Sequence, residues 1–191
     1  MAARAKRTPE ELRAASDHLA YEVGMFDATA QRLMAGGLDL IFTNALLESF
    51  TVHTRVLLQF LIPTKPRNSH VLADDFFADD LMAWRKVRGG VPKTLAHVNR
   101  RVGAEIAHLT YDRQSVTPEA KFWNVHDMRQ AMIAMIEGFR SHVRPEYLGA
   151  GWPVAEEFPV SPVQRTAATN AITMVNSVCL PPAYSTKVSE D

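Results

Sequence analysis

Cysteine is nearly absent: Cys179 stands alone in 191 residues. A disulfide framework is thereby excluded, and a zinc site built on cysteines lacks its second thiolate. This usage fits a reducing, cytoplasmic setting. Long apolar runs are also missing. The richest, "VLLQFLI", is far too short to span a bilayer, so no membrane partner is expected. The basic opening "MAARAKRTPEEL" runs into acidic residues rather than an apolar stretch and does not read as a signal peptide. Charge of one sign is not in excess, with 21 Lys plus Arg against 21 Asp plus Glu. No global field collects nucleic acid, and any RNA contact must come from a local patch. No Gly-x-x-x-x-Gly-Lys-Ser/Thr, Gly-x-Gly-x-x-Gly or Gly-x-Ser-x-Gly motif occurs. P-loop hydrolysis, dinucleotide binding and serine hydrolysis therefore find no support.

What is present is a core and a helical rhythm. Hydrophobic residues make up 47% of the chain, enough for one ordinary domain. Thr8-Pro9-Glu10-Glu11 predicts a capped helix start, and Leu12, Leu19, Phe26, Ala30 and Leu33 follow at helical spacing up to Gly36-Gly37. Asp39 opens a second helix, apolar over a wide arc, that runs toward Pro63. "ADDFFADDLMAWRKVRGG" predicts one or two short helices. A further helix is expected from Pro92 to about Arg113, with Leu95, Val98, Val102, Ile106 and Leu109 as its inner stripe. A last one is expected from Thr117 to Val143, with Trp123, Met132, Met135, Ile136 and Phe139 inside. The expectation is an all-α bundle over residues 8–143, followed by a proline-rich extension over 144–191 with a possible short helix at 164–178. Six of the eleven prolines lie between 145 and 182.

The chemistry concentrates in "RRVGAEIAHLTYDR", residues 100–113. On a regular helix Arg101, Glu105, His108 and Asp112 share one face, and His97 extends it by a turn. One reading is an intrahelical ladder of ion pairs, each contributing about 0.2–0.5 kcal/mol. The other is a catalytic pair. Arginine offers a planar, permanently charged fork for a phosphate, and histidine can move a proton near neutral pH. Together they are the minimum for cleaving RNA through its own 2′-hydroxyl, without a metal or other cofactor.

Arg101 and His108, separated by six residues late in a helical chain, resemble the Arg-x(4–6)-His motif of the HEPN superfamily. The continuation "HLTYDR" and the preceding "ESFTVHTRVLLQFL" are similar to HEPN-like proteins of the abortive-infection type. One departure is Val102, where HEPN nucleases often carry a polar residue. The resemblance spans roughly residues 10–143. It implies a four-to-five-helix bundle, a homodimer that joins two motifs in one cleft, and a metal-independent endoribonuclease of a defence or toxin–antitoxin system, with RNA or a nucleotide as substrate and a protein antitoxin as partner. Under it Arg101 holds the phosphate, His108 moves the proton and Glu105 orients one of them. Tyr111, Arg113, Glu48 and Arg55 become substrate-binding candidates.

Simpler roles stand beside these. Glu48 and Arg55, within the second helix, could pair with each other or through a neighbouring helix. Tyr111 and Arg113 could be a helix-end aromatic and a cation favoured by the helix dipole. His53 reads as a satisfied core histidine. "DDFFADD" carries four carboxylates in seven residues, and Asp74 and Asp75 are expected to cap or open a helix. Two alternatives remain open: a non-catalytic helical interaction protein, and a helical metal enzyme using His97, His108, His126 and the acids near residue 75.

Overall fold

The computed structural model describes residues 5–117 and 119–152, with the Asp112 side chain excepted, and the backbone of residues 172–173. The protein is all-α. Helix α1 spans Pro9–Ala35. The Thr8 hydroxyl accepts from the Glu11 N–H at 3.2 Å, and the Glu11 carboxylate accepts from the Thr8 N–H at 2.9 Å. This reciprocal cap satisfies two N–H groups that a helix start would leave orphaned. Gly36 and Gly37 turn the chain at φ 68° and 69°, a region that a side chain would strain. Asp39 then caps α2, Leu40–Leu61, by accepting from the Phe42 N–H at 2.9 Å. The short link makes α1 and α2 an antiparallel hairpin that buries Val23, Phe26 and Ala30 against Leu47, Phe50 and Leu57.

Helix α3 spans Ala73–Phe76 and α4 spans Leu81–Arg88. Past them, α6 at Val125–Arg140 lies against both arms of the hairpin. Phe139 of α6 is surrounded by Phe60, Phe76, Phe77 and Trp84, with ring centroids 5.1 to 5.8 Å away. One ion pair runs through this core: Arg129 Nε donates to Asp27 Oδ1 at 2.6 Å, with each side chain only 8% exposed. Gln31 donates to the second Asp27 oxygen. A buried charge without such partners would be strongly destabilising. Residues 145–152, at the start of the proline-rich extension, lie against α1. There Arg13 donates to the Glu146 carbonyl at 2.8 Å, and the Gly149 N–H donates to the Ser16 hydroxyl at 2.6 Å.

The helix expected from Pro92 to Arg113 does not form as one element. A 3-10 turn at Lys93–Leu95 leads to a single α-turn, α5, at Val98–Arg101, and then to a π-helix at Val102–Ala107. The last π bond runs from the His108 N–H to the Gly103 carbonyl at 3.1 Å, and His108 itself is extended. Two side chains explain the stop. Thr110 Oγ1 donates to the Ala104 carbonyl at 2.9 Å, and Arg113 donates to the Ile106 carbonyl at 3.1 Å. Those acceptors would otherwise take N–H groups of a continuing helix. Gly103, a poor helix former, weakens the same turn. Leu95, Val98 and Val102 are buried as expected, Ile106 is half-buried, and Leu109 is 92% exposed instead of core.

The last helix also starts later than expected. Trp123 sits in a two-residue strand, β1 at Phe122–Trp123, paired antiparallel with β2 at Ile172–Thr173. Asn124 caps α6 by accepting from the Asp127 N–H at 3.0 Å. Met132, Ile136 and Phe139 are buried and Met135 half-buried. Apart from the strand at 172–173, the short helix expected over 164–178 lies outside the described residues.

Candidate functional site

Arg101 closes α5, and its side chain reaches forward over the π-helix to Glu105. Nε donates to Glu105 Oε1 and Nη2 to Oε2, both at 2.8 Å. Nη1 donates to the Phe122 carbonyl, also at 2.8 Å. The guanidinium lies flat on Trp123, its carbon 3.8 Å from the ring centroid. Both side chains of the pair are mostly buried, at 12% and 14% exposure. The Nε/Nη2 edge is the fork that would grip a phosphate, and a carboxylate already fills it. What remains open is a cleft of about 220 Å³ bordered by Thr94, His97, Arg101, Trp123 and Asn124.

The histidine at that cleft is His97. His108 stands outside it, exposed on the turn that follows the π-helix, and no hydrogen bond joins it to Arg101 among the described residues. The shared face expected for Arg101, Glu105 and His108 therefore holds for the first two only. A π-helix adds residues per turn, so the regular spacing of three and four no longer aligns the row. Tyr111 is 90% exposed. Arg113 is committed to backbone carbonyls through the bonds that end the helix. The Asp112 side chain lies outside the described residues.

Glu48 and Arg55 lie elsewhere, on the outward face of α2. Glu48 is exposed and Arg55 half-buried, and among the described residues no ion pair joins them to each other or to a third group. They are seven residues apart, about 10 Å along the axis, beyond direct contact. His53 is satisfied as expected, with Nδ1 2.6 Å from a Glu22 carboxylate oxygen of α1.

The acids of "DDFFADD" are all in structural use. Asp74 receives Arg85 at 2.7 Å, and Asp75 accepts from the Leu72 N–H at 3.0 Å. Asp79 binds Lys6 at 2.6 Å and Arg144 at 3.4 Å, while Asp80 accepts from the Ala83 N–H at 3.4 Å and caps α4. The Lys6 hydrogen bond, and then the Lys6 charge, hold the Asp79 carboxyl below its ordinary range. Glu105-Ile106-Ala107-His108 has the Glu-x-x-His spacing used by helical metal sites, but Arg101 occupies that glutamate and His108 has left the helix. Among the described residues no group of three or more His, Cys, Asp or Glu side chains converges to hold a metal ion. No described helix is long and apolar enough to cross a membrane.

The buried Asp27–Arg129 pair was not among the candidates from sequence, although its signal was available. Asp27 follows Phe26 and precedes Ala30 on the inner stripe of α1, and Arg129 sits between Met128 and Met132 on that of α6. Opposite charges on two core stripes require each other. No family model, curated protein or solved structure matches this chain.

Proposed function

We propose that this chain is a non-catalytic helical interaction protein, in which Arg101 and Glu105 hold the fold together. The observation that carries the reading is the Arg101 fork, filled by both oxygens of Glu105 and anchored to Phe122 and Trp123. An arginine so saturated serves as a clamp between the π-helix and β1. His108, the proton mover of the nuclease reading, is not beside it among the described residues.

A HEPN-like, metal-independent ribonuclease of a defence or toxin–antitoxin system is the second reading. It is favoured by the exposure of His108 and Tyr111 on one protruding turn, where a second copy or an RNA strand can reach them. In that reading a substrate phosphate displaces Glu105 from Arg101. One experiment separates the two: incubate single-stranded RNA with the purified protein and a chelator, in parallel with His108→Ala and Arg101→Lys. The interaction reading expects the three preparations to behave alike, with no 2′,3′-cyclic phosphate ends. Cleavage by the wild type that disappears in His108→Ala would overturn it in favour of the nuclease.

A further inference from the structure

Helix α2 is the more apolar helix of the hairpin, yet a stripe of apolar residues along it stays exposed. Ile41 is 79% exposed, Val52 41% and Val56 39%, with Ala45 exposed between them. At 100° per residue these four lie on one line, opposite the buried Phe50, Leu57 and Leu61. The line runs about 22 Å, long enough to seat a second helix. Beside Val56 it opens into a groove of about 300 Å³ shared with Leu19, Phe60 and the exposed Val71. Apolar residues aligned and exposed in this way mark an interaction site more often than scattered ones do.

The charges on the face identify the occupant. Only Glu48 and Arg55 carry charge along this line, and neither has an ion-pair partner among the described residues. They are placed symmetrically about a point between Thr51 and Val52. We infer that the face pairs with the same face of a second copy, the two α2 helices running antiparallel across a two-fold axis beside Val52. In that register Glu48 of one copy meets Arg55 of the other, and symmetry makes the contact twice. The two Val52 side chains meet near the axis, and Ile41 of each copy overlies the last turns of the other's α2. A parallel pairing would set Glu48 against Glu48 and Arg55 against Arg55, which like-charge repulsion disfavours.

This inference rests on the reading of the chain as an interaction protein and names its partner. It fails separately from that reading, because neither Arg101 nor His108 takes part. Light scattering or sedimentation over a dilution series measures the association. Wild type should be a dimer. Glu48→Arg and Arg55→Glu should each weaken association by roughly tenfold or more, since each places two like-charged pairs in contact. The combined variant should return to near the wild-type constant, because it restores both pairs with their signs exchanged. Circular dichroism should show all variants folded, as Glu48 is exposed and the half-buried Arg55 has no ion pair to lose among the described residues. In a Cys179→Ser background, Val52→Cys should form a disulfide-linked dimer under mild oxidation. A wild type that stays monomeric throughout would overturn the inference and leave the face to a different protein. A dimer indifferent to the single swaps, or one that the double swap does not rescue, would overturn the antiparallel α2 pairing.

Discussion

Two oppositely charged pairs, Arg101–Glu105 and Glu48–Arg55, sit on helical segments of this protein and are used in opposite ways. The first is four residues apart, faces inward, and closes on itself while also gripping the Phe122 carbonyl and the Trp123 ring. The second is seven residues apart, faces outward, and stays open among the described residues. Spacing alone accounts for much of this. Four residues bring two side chains over one another, whereas seven separate them by two turns. Burial accounts for the rest, because an inward charge must be satisfied within the fold while an outward one is satisfied by water until a partner arrives. The arginine that looks most catalytic in the sequence is thus the one tied up in structure.

The comparison can be broken first at its inward extreme. Asp27→Ala leaves Arg129 buried without its carboxylate and should cost about 3–5 kcal/mol in urea denaturation. A loss near zero would mean that inward pairs are not what holds α1 to α6. Arg101→Gln comes next. It removes the charged donors to Glu105 and Phe122 and should cost about 1.5–3 kcal/mol by the same measurement. If activity of some kind fell while stability stayed unchanged, Arg101 would be a binding group rather than a clamp. Arg55→Ala, the outward counterpart, should change unfolding of the dilute protein by no more than about 0.5 kcal/mol. A larger loss would show that Arg55 has an intramolecular role.

The smallest effect belongs to the exposed pair of Lys6 and Asp79. The lysine lowers the Asp79 pKa, so the pair's contribution is present above the unfolded value of about 4 and disappears as pH falls through the lowered one. Lys6, whose own pKa is raised by that hydrogen bond, contributes up to its unfolded value and loses the contribution as pH rises through the raised one. Asp79→Asn should leave neutral-pH melting almost unchanged and slightly flatten the acid limb. An acid limb identical to wild type would show that the contact is not maintained in solution.

How far each region could be read from sequence follows the same division. The α1–α2 hairpin was legible to within a residue or two, because Thr8, Glu11, Gly36, Gly37 and Asp39 act on backbone groups only a few positions away. Residues 92–113 predict one helix because the 3-4 stripe of Leu95, Val98 and Val102, which is buried, continues in the sequence through Ile106 to Leu109. The stripe does not record that Thr110 and Arg113 reach back for the carbonyls of Ala104 and Ile106. At the candidate site, the Arg101–Glu105 pairing was readable from its spacing, whereas the loss of His108 from their face depended on the π-helix.

The sequence by itself determined the all-α class, the ends of α1 and α2, the use of Asp74 and Asp75 at a helix start, and the spacing that lets Arg101 pair with Glu105. Each of these is a contact between near neighbours, set by side-chain type and helical geometry. Only the tertiary structure decided that Arg101 stacks on Trp123, that Asp27 finds Arg129 across 102 positions, and that an apolar stripe of α2 stays exposed. Those outcomes depend on which surfaces meet once the hairpin closes on α6. A contact between residues far apart in the chain leaves no periodicity from which to read it.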